Sequence, residues 1–439
     1  MMMKSGSPAL RPASERLEEA LARIADPQGE GARAFLTIYA DRARAEADAA
    51  DGRARSGATL GALDGAIVSI KDLFDVAGEP TRSGSKTLAD APPASSDAPV
   101  VQRLRRAGAV IIGKTNMSEF AFSGVGANPH YGTPGNPADR KRIPGGSSSG
   151  GAVAVADGMC EISIGTDTGG STRIPAALCG IVGFKPSKFR VPTAGAFPLS
   201  PTLDSVGPMA RSVQDCANAD AILAGEAPWR PEPAPLQGLR LGIPQGLPLR
   251  ELYQAVSTSF ADAIRQLGRA GAIVPEQHLA LFDEMVRVNA LAPLAVVESY
   301  PIHRERLATH GAEYDPFVRR RIEAGRAVTP AQYATMRDER NTLVQAMDAA
   351  MSDFDALVLP TTPIVAPALE EVATLEGFNA RNRLLLRNTA IANFFDLCAI
   401  SLPMPHPGPL PTGLMLAGHQ GQDRQLFQIA AAVEALFST

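Results

Sequence analysis

Apolar positions recur along this chain in two rhythms. Leu17, Leu21 and Ile24 fall at helical spacing, with Ser14 as a candidate N-cap and Pro27 beyond the end. Residues 13–54, rich in Ala, Arg and Glu, predict two or three helices. At 66–70 the chain turns to a short apolar run, which predicts a strand ending at Lys71. Residues 100–106 predict an amphipathic helix and 109–112 a buried strand leading into Gly113-Lys114. A Pro/Gly-rich stretch at 128–144 follows, then apolar runs alternating with turns to about Val206. Pro231-Glu232-Pro233-Ala234-Pro235 reads as a connector. Beyond it, 239–243, 357–359, 399–402 and 414–416 predict strands, 252–352 long helices, and 422–437 a closing helix.

Strands interleaved with helices argue for an α/β fold around a largely buried sheet. The short strands past the connector make a poor sheet alone and are expected to return to the first one. The expected organisation is one domain over 1–439, with N-terminal helices in 1–60, a core in 61–215, and helices plus returning strands in 236–439. At 439 residues one large domain or two fused ones are the options.

Composition excludes several classes. A hydrophobic content of 45% with 20% charged residues fits a water-soluble globular protein, and the net charge of −4 gives no reason to expect nucleic acid. No apolar run reaches membrane-spanning length, and the first residues lack the apolar core of a signal peptide. Cytoplasmic residence is therefore the expectation. Cys160, Cys179, Cys216 and Cys398 form no CxxC pair, and the six histidines are dispersed, so neither disulfides nor a metal site is expected. Of 42 basic residues only seven are lysine, and none follows Lys188. A lysine kept in an apolar run is notable, because lysine can shed its proton and arginine cannot.

The chemistry is concentrated in two Ser/Gly-rich segments, Gly145-Gly146-Ser147-Ser148-Ser149-Gly150-Gly151 and Gly165-Thr166-Asp167-Thr168-Gly169-Gly170-Ser171. Their apolar flanks argue against a flexible linker. A phosphate-binding loop would need a lysine and hydroxyl where Ala152-Val153 stands. Gly146-Ser147-Ser148-Ser149-Gly150 matches GxSxG, which makes Ser148 a candidate esterase nucleophile. The charged, proline-terminated stretch before it is unlike the strand such an elbow requires. The remaining reading joins both segments with Lys71: hydroxyls, a lysine and backbone N–H groups suited to acyl transfer without histidine.

On that reading the chain resembles the amidase signature family of serine amidohydrolases. The resemblance rests on Gly165-Thr166-Asp167-Thr168-Gly169-Gly170-Ser171-Thr172-Arg173-Ile174-Pro175-Ala176 and on the serine run 24 residues upstream. It is extended by Ser69-Ile70-Lys71-Asp72, Gly113-Lys114-Thr115-Asn116, Asn128-Pro129-His130-Tyr131-Gly132, Gly183-Phe184-Lys185-Pro186 and Asp204-Ser205-Val206-Gly207-Pro208. It is strong over 61–215 and weaker to the C-terminus. It implies a large mixed sheet covered by helices on both faces, and hydrolysis of a small-molecule amide, or an ester, with no cofactor or metal.

By the same resemblance Ser171 is the nucleophile, Ser147, on a cis peptide, the proton relay, and Lys71 the base. Thr168, Gly169 and Gly170 join Ser171 as backbone oxyanion donors, and Ala121 and Ser123 line the acyl site. For Lys71 to be neutral its pKa must fall by roughly 2–3 from a reference near 10.4, which burial can supply. Asp167 and Arg173 read as a structural pair. Ile174 departs from the glutamine expected of a glutaminyl-tRNA amidotransferase subunit, and the chain is short for an allophanate hydrolase. A stand-alone bacterial amidase is the expectation, an amidotransferase-type or accessory subunit the alternative, and a homodimer a family tendency only.

Overall fold

The computed structural model describes residues 11–405 and 408–438. Its strands are β1 (Phe35–Ile38), β2 (Ile67–Lys71), β3 (Val110–Thr115), β4 (Ile162–Thr166), β5 (Val182–Lys185), β6 (Val206–Ala210), β7 (Leu241–Pro244), β8 (Glu276–Gln277), β9 (Ala356–Pro360), β10 (Cys398–Pro403) and β11 (Gly413–Gly418). All eleven join one sheet in the order β1-β3-β2-β4-β6-β5-β10-β11-β9-β7-β8. β2 runs parallel to both β3 and β4, and β7 runs parallel to β8 and β9. The remaining pairs are antiparallel, so the sheet is mixed.

The central strands read as continuous apolar runs because both faces are covered. Neighbouring residues go to opposite cores. Val68, Ile70, Ile111 and Ile164 pack in one cluster with the helices Val213–Ala224 and Asp423–Phe437. Ile67, Val110 and Ile112 pack in the other with the helices Ala13–Ala25 and Ser149–Ala156. This period-two split places helices on both sides of the sheet.

Three local expectations are corrected. The stretch read as N-terminal helices contains β1, which pairs with β3 at the sheet edge. Ser14 lies inside its helix, which starts after Pro12, and its hydroxyl donates to Asp51 at 2.5 Å. The first Ser/Gly segment is not a turn throughout. Ser149, Gly150 and Gly151 open the buried helix Ser149–Ala156. The apolar run within it, residues 152–156, is too short to be assigned to strand or helix by periodicity alone. β7, β9, β10 and β11, all past the proline connector, lie in the same sheet as β2 and β4.

Candidate active site

The site is built where two parallel strands end side by side. β2 and β4 are in register with Ile70 opposite Ile164, so Lys71 and Thr166 project from adjacent carboxyl ends. This is the end at which α/β sheets gather ligands. Lys71 is fully buried, and its Nζ lies 2.7 Å from Ser147 Oγ and 2.9 Å from Thr166 Oγ1. Burial drives its pKa down to about 7, against the opposing pull of the Asp167 and Asp204 carboxylates, neither of which it touches. Sequence reasoning does not single out Thr166, although it stands within the second motif.

Ser147 is held by its backbone. The Gly146–Ser147 peptide is cis. The Ser118 N–H donates to the Ser147 carbonyl at 3.0 Å, and the Gly146 N–H donates to the Gly124 carbonyl at 2.8 Å. The segment 118–124 thus clasps the peptide carrying Ser147. Ala121 and Ser123 lie on this segment, and the Ser123 hydroxyl accepts the Val125 N–H at 2.9 Å. A side chain at Gly146 would place its Cβ 2.6 Å from Gly126 Cα, so this close approach needs glycine.

The second segment meets the first at a backbone contact: the Ser148 N–H donates to the Ser171 carbonyl at 3.3 Å. Asp167 braces the loop that carries Ser171. Its carboxylate accepts from Gly170 N–H (2.9 Å), Thr172 Oγ1 (2.9 Å), Arg173 Nε (3.0 Å), an Arg173 terminal nitrogen (2.8 Å) and Asn393 Nδ2 (2.8 Å). Burial alone would raise its pKa, but the Arg173 guanidinium and these donors hold it well below the usual carboxylate range. The structural role expected of Asp167 and Arg173 matches this geometry.

Gly170 therefore has its N–H committed to Asp167 and not to an incoming carbonyl, unlike the expectation for it. The N–H groups of Thr168, Gly169 and Ser171 have no protein partner among the described residues. At Gly170, φ is +132° and a Cβ would fall 2.2 Å from Thr389 Oγ1, so only glycine fits. The Thr389 hydroxyl donates to the Gly169 carbonyl at 2.6 Å, turning that peptide. Thr389 and Asn393 come from the helix Leu375–Phe394, and sequence reasoning misses both. The available signal is a set of polar residues, Asn388, Thr389 and Asn393, in an apolar surrounding.

Ser148 has a different environment. Its Oγ is buried and has no hydrogen-bond partner among the described residues. It packs against Gly165, whose Cβ would lie 2.6 Å from it. A nucleophile elbow needs a histidine bonded to its serine, and Ser148 has none. All four cysteines are buried and free, and no group of metal-ligating side chains occurs among the described residues. No described helix is long and apolar enough to cross a membrane.

Comparison with known proteins agrees with this geometry. A family model described as "Amidase" matches residues 15–427. The 2-amino-5-chloromuconic acid deaminase of Comamonas testosteroni is 36% identical over 413 residues, spanning 92% of this chain and 88% of that protein. A glutamyl-tRNA(Gln) amidotransferase subunit of Symbiobacterium thermophilum is 35% identical over 461 residues, spanning 96% and 93%. Among solved structures, a crystal structure of an amidase superposes with a TM-score of 0.87 at 36% identity, covering 97% of this chain and 96% of that one.

Proposed function

The chain belongs to the amidase family and is a hydrolase of carbon–nitrogen amide bonds; from that premise we propose that it turns over a small-molecule amide through an acyl-enzyme on Ser171. The observation that carries the proposal is the buried contact of Lys71 with Ser147, 2.7 Å, at a sheet end shared with the Ser171 loop. A serine hydroxyl is a poor nucleophile until a base takes its proton. A lysine with its pKa near 7 is partly neutral at physiological pH and can be that base. Ser147 is both donor and acceptor, so it relays the proton of Ser171 to Nζ.

In the first half-reaction Ser171 Oγ bonds to the amide carbon, and its proton passes through Ser147 to Lys71. The carbonyl oxygen gains negative charge, and the N–H groups of Thr168, Gly169 and Ser171 stabilise it. Collapse breaks the carbon–nitrogen bond while Lys71 returns the proton, through Ser147, to the leaving nitrogen. Water then attacks the ester by the same relay and releases the acid. Ala121 and Ser123 border this space on the segment that clasps Ser147. The single sheet supports treating 1–439 as one catalytic unit. The proposal includes stand-alone activity in the cytoplasm, with a homodimer resting on family tendency. Ile174, in place of the expected glutamine, weighs against an amidotransferase role.

The test is Ser171→Ala. It should abolish amide turnover and covalent labelling by a fluorophosphonate, with the fold intact by circular dichroism. Retained labelling in Ser171→Ala, lost instead in Ser148→Ala, would transfer the nucleophile to Ser148.

A further inference from the structure

Arg321 stands out among the charged groups of the molecule. It lies on the helix Pro316–Ala324, and its Nε is buried without a hydrogen-bond partner. No hydrogen bond or ion pair to any carboxylate is formed by its guanidinium among the described residues. Burial alone, with no charged neighbour contributing, pushes its pKa down to about 10, which leaves it cationic at neutral pH. Its guanidinium instead faces an aromatic ring: the guanidinium carbon lies 4.9 Å from the centre of the Phe122 ring. The fully buried arginines here are paired, as Arg173 is with Asp167 and Arg340 with Asp396, whereas the partly buried Arg321 keeps an Nε shielded from water with no partner. A guanidinium nitrogen shielded from water without a partner is costly to fold, and such sites are kept for a ligand more readily than for stability.

A second unsatisfied donor lies on the same segment. Asn382 is 1% exposed, and its Oδ1 accepts the Gly124 N–H at 2.8 Å. That bond fixes the amide orientation, because the reverse would set two donors face to face. Its Nδ2 is buried with no partner. Phe122 and Gly124 are two residues apart on the segment that holds Gly146 and Ser147: Asn382 bonds its backbone at Gly124, and Arg321 lies over its Phe122 ring. Along the helix Leu375–Phe394, Leu386 follows Asn382 by one turn and contacts the Cβ position of Gly169 at 3.2 Å. Four residues of helix rise about 6 Å. Asn382 therefore stands on the order of one helical turn from the loop carrying Ser171. Phe317 and Phe378, each one turn before Arg321 and Asn382 on their helices, pack with ring centres 5.1 Å apart, which brings the two helices together on this side.

We propose that Arg321, with the side-chain amide of Asn382, holds a free carboxylate of the substrate, so that the enzyme acts on monoamides of short dicarboxylic acids. The proposal rests on the amidase reading above and names its substrate class. The leaving nitrogen is served by Lys71 at the end of β2 and by Ser147 in the loop beside it, whereas Arg321 and Asn382 approach from helices, at Phe122 and Gly124. A carboxylate held there belongs to the acyl portion. Guanidinium and amide N–H groups provide the planar donor set that a carboxylate accepts, and a neutral chain in the same place would leave both donors unpaired.

The test compares monoamides of C4 to C8 dicarboxylic acids with alkyl amides of equal length on the purified full chain. The wild type should prefer the acid-bearing member of at least one pair by on the order of 100-fold in kcat/KM, as expected for hydrogen bonds to a charged group. In Arg321→Met the preference should collapse towards one, through KM more than kcat, with partial recovery in Arg321→Lys. Dicarboxylates should also slow fluorophosphonate labelling of Ser171 in the wild type and not in Arg321→Met. Because the charge has no partner to lose, Arg321→Met should melt at or above the wild-type temperature.

Equal turnover of acid and alkyl amides, with no protection by dicarboxylates, overturns the carboxylate site and leaves the amidase reading standing. A lower melting temperature in Arg321→Met with the preference unchanged overturns it too, by making Arg321 structural. Absence of both labelling and amide turnover in the wild type is the separate outcome that would remove the amidase reading itself.

Discussion

Lys71 must be neutral to act as the proposed base, and full burial serves that end, against the pull of two carboxylates that lie near but are not bonded to it. Its pKa near 7 predicts that kcat/KM climbs tenfold per pH unit below about 7 and levels off above it. Lys71→Arg should be close to inactive at every pH in that range, because arginine keeps its proton. The same shift has a stability consequence. The native pKa is depressed, so below about 7 both native and unfolded chains hold the proton and the native state bears the full cost of burying it. Between about 7 and the ordinary value of 10.5 the unfolded chain binds more protons than the native one, and stability rises with pH. Lys71→Met should therefore raise the melting temperature, and by more at pH 6 than at pH 9. A gain independent of pH would count against the buried, shifted amine. At this scale the residues proposed for the chemistry, Lys71, Ser147 and Ser171, stand within the sequence motifs, whereas Thr166 became visible only once β2 and β4 lay in register. Arg321 was not legible at all, because nothing in a sequence says which of many arginines lacks a partner.

Among the elements, the helix Leu375–Phe394 does the most to position the site. Its Asn382, Leu386, Thr389 and Asn393 recur at spacings of four, three and four, one face of a helix, and that face lies along Gly124, Gly169 and Asp167. Asn393 donates to Asp167 and accepts from Arg173, completing the network that shapes the loop carrying Ser171. Asn393→Ala should leave a buried ion pair short of partners and cost about 1–3 kcal/mol in urea unfolding. Because the loop loses a brace and no substrate contact, kcat should fall more than KM changes. A change confined to KM would place Asn393 at the substrate instead. The helix Ser149–Ala156 shows why some elements were illegible. Its apolar run is buried on every side, so it carries no amphipathic rhythm that would separate helix from strand.

Taken whole, the molecule interleaves its two halves. β10 pairs with β5 and β11 continues from β10, so residues after the proline connector complete the sheet that carries Lys71. A fragment of residues 1–235 would expose the β5 edge and lose Asn393, Thr389 and Arg321 together. It should fail to give soluble protein that labels with a fluorophosphonate, and adding residues 236–439 in trans during refolding should restore labelling. Labelling by the fragment alone would show that the second half is not needed to form the nucleophile.

The sequence by itself determined the residue types on which the proposed chemistry rests, hydroxyls, glycines and a lysine in short local motifs, and an α/β pattern of buried runs. These are local properties, set by residue type and by spacing of a few positions. Only the tertiary structure decided what depends on segments far apart in the chain. It committed the Gly170 N–H to Asp167, and it brought Thr389 and Asn393 to the loop. It also left Arg321 and Asn382 with donors to spare, because whether a buried polar group is satisfied depends on what the rest of the fold packs against it.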